Sequence, residues 1–330
     1  MIYLKKIFFV LFISLTGFIE IGTVIFAIKS SYTINQLVML VLAYQIGHFF
    51  SSNIRLSKKY IYMLSVSSTL MYLLTIIHKT HHIYLLFATL FVSICLQTIR
   101  SINKIKISTG LKRTLRILGF AFSPLFSISI MVFISIIIFI SCHLSNIKQS
   151  NIILFEKIKL PYYIMITHQI HYFSYSYLIL IKIFEVDNFN GFFTSGMFVL
   201  GWITYTATPY MLRKRSYERY FIFGHISLFI ILVSMYFLNN LYIKIILWVL
   251  TGFGAATVFC IERIFAKNRI QNKHQLDLSE NTGHIMGLCS GLLIYNLFHS
   301  IDSVIMSAGV YALLTAIMML RYLKTNTLEE

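Results

Sequence analysis

The chain has 330 residues, 58% of them apolar and only 12% charged, with a net charge of +17 and a mean hydropathy of +0.77. A chain this apolar has too little polar surface to face water all round, which excludes a soluble globular domain. The positive charge does not point to nucleic acid, because no basic patch interleaved with aromatic residues lies outside the apolar runs.

Apolar runs recur about every 25 residues, each near the roughly 20 residues that cross a hydrocarbon core as a helix. In chain order they are 7–28, 34–52, 60–77, 83–99, 117–143, 162–181, 192–212, 221–238, 242–260, 284–298 and 304–320. The run 117–143 is too long for one crossing and short for two, and dividing it into a hairpin near Ser127 gives twelve. The expected class is therefore an all-α integral membrane protein with about twelve transmembrane helices in two six-helix halves. These halves are residues 1–146 and 161–330, joined by a short cytoplasmic linker at 147–160. The first run follows Lys5 and Lys6 as a secretory signal would, but its length and the lack of a small-residue cleavage pattern make it a retained span.

The basic residues test the hairpin. With the N-terminus cytoplasmic and twelve spans, 24 of the 28 Lys and Arg residues fall in cytoplasmic segments, as the positive-inside rule requires. They gather at Arg55, Lys58 and Lys59, over 100–116, at Arg213, Lys214, Arg215 and Arg219, and over 263–273. The outer side keeps only four, no more than one to a connection: Lys29, Lys79, Lys182 and Lys244. A single span over 117–143 would swap the sides of every later loop and abolish the bias. The reading is a multi-pass protein of the inner, or plasma, membrane with both termini cytoplasmic and basic loops that contact anionic lipid.

No GxxxxGK[ST] phosphate loop occurs, so transport would draw on an ion gradient or on the solute's own gradient. The longest hydrophilic stretch, near 265–281, is too short for a catalytic or nucleotide-binding module. Cys95, Cys142, Cys260 and Cys289 lie in apolar stretches without a CxxC pair and read as small buried side chains. His78, His81 and His82 share an outer loop without a fixed fourth ligand, so they read as solvated. No metal site and no cofactor is expected.

The functional signal lies in polar residues within the spans. The stretch 161–181, PYYIMITHQIHYFSYSYLILI, is long enough to cross a bilayer yet holds His168, Gln169, His171 and five tyrosines. His168, His171, Tyr172 and Tyr175 fall at i, i+3, i+4 and i+7, on one helical face. Hydrocarbon would leave these groups unpaired, so the face should look inward, onto a wet path or onto helices with which it hydrogen-bonds.

Glu20 is the one acidic residue well inside a span of the first half. It reads either as a proton carrier or as a carboxylate paired with a base such as Arg100. Gln97 and Arg100 end the fourth span, where Arg100 can also snorkel to the membrane edge. In the tenth span Gly252 and Gly254 allow close packing or a bend, and Glu262 beside Arg263 is either an interfacial pair or a cavity group. A second tier comprises Gln45 with His48 in the second span, Trp202 with Tyr205 in the eighth, and Asn281 with His284 at the start of the eleventh. The two aromatic side chains would stack on a solute ring or simply pack.

The halves echo each other. Cys95, Gln97, Ile99, Asn103 and Lys104 match Cys260, Glu262, Ile264, Asn268 and Arg269 at an offset of 165, half the chain. Gly47 and Gly201 each precede a basic turn. Two six-helix halves repeated in parallel form the architecture of one large class of secondary transporters.

On these features the chain resembles the major facilitator superfamily. The loop 47–59 keeps the glycine and the basic residues of that family's G-x-x-x-D-R-x-G-R-[RK] pattern without its acid. Arg100 falls where the family often carries an arginine. The segment 119–124, GFAFSP, is similar to the glycine–proline motif of exporters, with Ser123 in place of the second glycine. The resemblance implies a central cavity lined by spans one, four, seven and ten. Glu20, Gln97, Arg100, His168, Gln169, His171 and Tyr175 then lie on the substrate and proton path. It also implies conformational loops at Gly47, Arg55, Lys58 and Lys59 and at Arg213, Lys214 and Arg215. The implied activity is secondary active transport by alternating access. A monomer in the lipid bilayer would move a small polar molecule by proton-coupled export, with siderophores or other metallophores within the range of cargo. The readings from other classes are a polytopic acyl or glycosyl transferase using His168 and His171, and a lipid-flipping or scaffold membrane protein.

Overall fold

A computed structural model describes residues 2–53, 56–78, 82–102, 109–144, 159–186, 190–211, 216–267 and 273–326. Among these residues there are fourteen α-helices and no strand. In the first half they are α1 (Ile2–Lys29), α2 (Ile34–Asn53), α3 (Lys58–Ile77), α4 (His82–Ile102), α5 (Thr109–Phe122) and α6 (Ile128–Leu144). In the second they are α7 (Leu160–Tyr175), α8 (Leu178–Val186), α9 (Phe192–Met211), α10 (Tyr217–Phe237), α11 (Leu241–Ala255), α12 (Val258–Lys267), α13 (Lys273–Phe298) and α14 (Ile301–Asn326). With α7–α8 and α11–α12 each counted as one broken crossing, the chain makes about twelve passes. Among the described residues seven segments are long and apolar enough to cross unaided, α11 and α12 counting as one; α6 offers a shorter apolar stretch, Ile128–Ser141.

The long run 117–143 does divide. Pro124 lacks the N–H that would continue α5, so the chain tightens into a 3₁₀ turn, Ser123–Leu125, closed by a Phe126 N–H bond to the Ser123 carbonyl at 3.0 Å. Ser127 Oγ then accepts the Ile130 N–H at 3.3 Å, capping α6.

Two helix starts differ from the hydropathy reading. α5 begins at Thr109 rather than 117, which puts Lys112, Arg113 and Arg116 on a helix instead of in a loop. α13 begins at Lys273 rather than 284, so Asn281 and His284 lie well inside it and not at its start. Both early turns bury one face, through Leu115 in α5 and through Gln275, Leu278 and Ser279 in α13, and carry polar residues that lower their mean hydropathy. An apolar window ends where such a helix still continues. Cys95 and Cys260 are buried as expected, whereas Cys289 is exposed.

The chain forms two compact units, one of Met1–Leu154 with Phe189–Ser195, the other of Phe155–Asn188 with Gly196–Glu330. In the first, α1 packs on α5, α2 on α4, and α3 on both α4 and α6. In the second, α7 packs on α13 and α14, and α10 on α11 and α14. Counted in spans, first on fifth, third on fourth and third on sixth recur in both units. The buried cysteines keep the same place: Cys95 Sγ donates to the Ile61 carbonyl of α3 at 3.6 Å, and Cys260 packs with Phe221 of α10.

Membrane helices gain little from burying apolar surface against each other, so close backbone approach must hold them together. Gly283, Gly287 and Gly291 recur every four residues along one face of α13. A Cβ added at Gly283 would lie 2.5 Å from Gln169 Cβ, one at Gly287 2.8 Å from Phe173 Cβ, and one at Gly291 would strike the Ser174 carbonyl. In the first unit Gly119 of α5 meets the Ser14 carbonyl of α1, and Gly17 of α1 meets that of Arg116. Replacing Gly291 with Ala should push α13 off α7 and cost about 1–3 kcal/mol. Gly196→Ala, where a Cβ meets nothing within 4 Å, should leave thermal unfolding of the detergent-solubilised protein unchanged.

Candidate functional site: a histidine core beside two broken spans

The break between α7 and α8 follows from hydroxyl chemistry. Ser174 Oγ donates to the His171 carbonyl at 3.0 Å, and the Ser176 N–H closes on the Tyr172 carbonyl at 3.1 Å, after which the helix restarts at Leu178. Side-chain back-bonding of this kind bends helices. The break between α11 and α12 repeats the device. Thr251 Oγ1 donates to the Trp248 carbonyl at 2.5 Å, Thr257 Oγ1 donates to the Gly254 carbonyl at 2.6 Å, and the Thr257 N–H makes a second, tight bond to Gly254 at 3.1 Å. Tyr175 Oη and Thr251 Oγ1, 3.2 Å apart, join the two interruptions.

Between them sit three buried histidines: His168 and His171 from α7, and His225 from α10, exposed by 2%, 0% and 0%. His225 Nδ1 faces the Phe221 carbonyl at 2.8 Å. A carbonyl only accepts, so Nδ1 carries the proton and Nε2 presents its lone pair. His168 Nδ1 lies 2.8 Å from that Nε2 and donates to it. His171 completes the group with ring centroids 4.9 Å from His168 and 5.7 Å from His225. Neither ring nitrogen of His171 has a hydrogen-bond partner of normal geometry, although the His168 carbonyl one turn back lies close to the ring. The inward face expected at 161–181 thus meets a third imidazole. His225 stands alone on an apolar helix, and only its being the sole histidine of that span could have marked it in the sequence.

The rest of the stripe is also buried. Tyr175 is fully covered, Tyr172 is half-buried, and Gln169 points its Nε2 at Met165 Sδ, 3.7 Å away. His284 stacks on Phe173 with centroids 3.9 Å apart and approaches Glu280 at 3.9 Å, while Asn281 is buried one turn earlier. Gly252 lies against the Gly201 carbonyl and Thr204 Oγ1 of α9, and Gly254 against Leu228 and the Gly224 carbonyl of α10. Both of them pack closely, and the bend comes just after them. Trp202 and Tyr205 pack on each other with centroids 5.2 Å apart.

In the first unit Glu20, buried to 4% exposure, pairs with Arg116 of α5 at 2.6 Å. The base therefore comes from a residue assigned to a loop, and the Arg100 side chain lies outside the described residues. Arg116 also lies over the Phe120 ring at 5.6 Å. Gln97 and Gln45 are buried, His48 is half-buried, and Gly47 touches Ser93 and the Leu90 carbonyl of α4. Lys58 lies over the Tyr62 ring at 5.8 Å, and Lys59 is exposed. Arg55, Arg213, Lys214 and Arg215 lie outside the described residues, as do the Glu262 side chain and His81. Of the outer histidines, His82 bonds Gln36 through Nδ1 at 3.1 Å and His78 is exposed.

A further charged cluster escaped the sequence reading. Asp302, in the first turn of α14, bonds Lys182 of α8 and Lys244 of α11, both at 2.7 Å. Two of the lone lysines assigned to outer connections thus share one carboxylate.

No family profile matches the sequence, and no curated protein matches it either. Solved transporters do share the fold. The nucleoside transporter NupG superposes over 97% of this chain and 98% of its own, with a TM-score of 0.66 at 13% identity. A bacterial metal transporter superposes over 96% and 98%, with 0.65 at 10%. A bacterial homologue of the iron transporter ferroportin in the outward-facing state superposes over 97% and 99%, with 0.63 at 11%. At these identities the likeness establishes the fold: an all-α, multi-pass membrane architecture of the kind these transporters share.

Because the Lys244 side chain is only 6% exposed, Asp302→Asn leaves it without a counter-charge. We expect a loss of about 1–3 kcal/mol for this partly exposed pair, read as earlier thermal unfolding in detergent. Adding Lys244→Met to Asp302→Asn should recover most of it.

Proposed function

We propose that this protein is a secondary active transporter of the major facilitator type. It sits in the inner (plasma) membrane with both termini cytoplasmic and exports a small polar molecule by alternating access as a monomer. The observation that carries the reading is the likeness of the whole chain, end to end, to solved transporters, joined to interruptions in the seventh and tenth spans. In transporters discontinuous spans free backbone groups to line solute sites. The gradient is a proton gradient and the coupling group is the Glu20–Arg116 pair. A proton taken up by Glu20 releases Arg116, and a charge change at a buried pair biases the equilibrium between two conformations. The buried histidines, tyrosines and amides of α7 favour a polar cargo with hydrogen-bonding groups, and the siderophore or metallophore class fits that description.

The test is comparative metabolite profiling of medium from cells with and without the gene, repeated with Glu20→Gln. One compound should vanish from the medium and build up inside when the gene is lost. Glu20→Gln should slow gradient-driven efflux by about tenfold or more while leaving exchange of labelled for unlabelled cargo intact. Identical profiles with and without the gene would contradict the export reading, and undiminished pH-driven efflux in Glu20→Gln would contradict the coupling site.

A further inference from the structure

Three imidazoles packed together in a membrane interior need an explanation. Each brings a ring N–H and a lone pair that hydrocarbon cannot satisfy. Two of the three settle this between themselves and the Phe221 carbonyl. His171 does not, with both ring nitrogens lacking a hydrogen-bond partner of normal geometry at 0% exposure. One ring nitrogen from each histidine lies within 4.8 Å of the other two.

We infer that His168, His171 and His225 form a resident site for one divalent first-row transition ion of the zinc class, fastening α7 to α10. Metal–imidazole bonds of about 2.0–2.1 Å at tetrahedral angles set the nitrogens about 3.3 Å apart. The His168–His225 pair at 2.8 Å must open slightly and the longest separation must close by no more than about 1.5 Å, which ring rotations accomplish. The backbone supplies the supporting contact: a ligating histidine usually donates its other N–H to a carbonyl or carboxylate, fixing ring and tautomer. His225 does this through Phe221, with Nε2 aimed into the cluster. His168 needs only to carry its proton on Nε2 instead of Nδ1 for its Nδ1 lone pair to turn to the ion, and His171 gains a partner of normal geometry.

Three neutral nitrogens favour Zn²⁺, Co²⁺, Ni²⁺ or Cu²⁺ over Mg²⁺ and Ca²⁺, which require oxygen donors. No carboxylate or thiol among the described residues joins the cluster, so water or a small anion takes the fourth position. Complete burial and the carbonyl brace make the ion resident rather than cargo.

The inference is independent of the export reading, and its test uses purified, tag-free, full-length protein in detergent, stripped with chelator. Titrated Co²⁺ should bind at about one per chain with the strong visible bands of four-coordinate cobalt. Zn²⁺ should displace it and Mg²⁺ should not. Zn²⁺ at a hundredfold excess over its Kd should raise Tm by roughly 5 °C. His171→Gln and His225→Gln should lose the bands and the Tm rise. Electron paramagnetic resonance of Cu²⁺-loaded wild type reads the ligands without any variant, and three imidazole nitrogens are expected. No cobalt band in the wild type, an all-oxygen copper spectrum, or bands that persist in folded His225→Gln would each overturn the site. Uptake of Co²⁺ into proteoliposomes that tracks the protein would overturn its resident character.

Discussion

A polar group inside hydrocarbon has no water to fall back on, so every one carried into a span must find its partner within the bundle. Most of this structure follows from that constraint. Glu20 finds Arg116, Lys182 and Lys244 share Asp302, Tyr175 meets Thr251, and His168 meets His225. Serine and threonine hydroxyls that have no neighbour turn back onto their own helix carbonyls. At Ser174, and at Thr251 with Thr257, such bonds fall at the two helix breaks. The interruptions of the seventh and tenth spans are thus a product of the sequence's hydroxyls as much as of its glycines.

Glycine supplies the complementary constraint. Polar partners can meet only if the helices that carry them approach closely, and in the second unit α13 does so against α7 along Gly283, Gly287 and Gly291. That contact fixes the back of the helix whose front carries His168 and His171. In the first unit Gly17 and Gly119 hold α1 to α5, and the same approach brings Arg116 to Glu20. Both units therefore pair close backbone packing with a buried polar contact on first-and-fifth or first-and-third spans. This is what two repeats diverging from a shared six-helix plan would retain.

Much of the fold is legible in the sequence because hydropathy and charge are long-range averages. The spans emerge from run lengths, and the bias of lysine and arginine between loops divides 117–143 at the place where Pro124 and Ser127 end one helix and begin the next. The same averaging hides helical turns that carry polar residues. α5 and α13 start earlier than their apolar runs, so Arg116, which pairs with Glu20, is counted with a loop. The inward face of 161–181 is legible from spacing, since His168, His171 and Tyr175 recur on one side of a single helix. His225 is not, because it lies 57 residues from His168 and no local periodicity links them. Asp302 is hidden for the same reason, its two lysines coming from separate connections. The spacing of four between Gly283, Gly287 and Gly291 is visible in the sequence, but only the structure says which helix the glycines meet.

In the proposed transport cycle the two units exchange conformations under the control of the Glu20 charge. Spin labels at Lys59 and Arg219, exposed residues beside the basic turn of each unit, read the distance between the units by pulsed dipolar spectroscopy in a cysteine-free background. Two distance populations are expected, with a ratio that shifts with pH and a shift that disappears in Glu20→Gln. A single distribution, unmoved by pH in the otherwise wild-type chain, would contradict the proposed cycle.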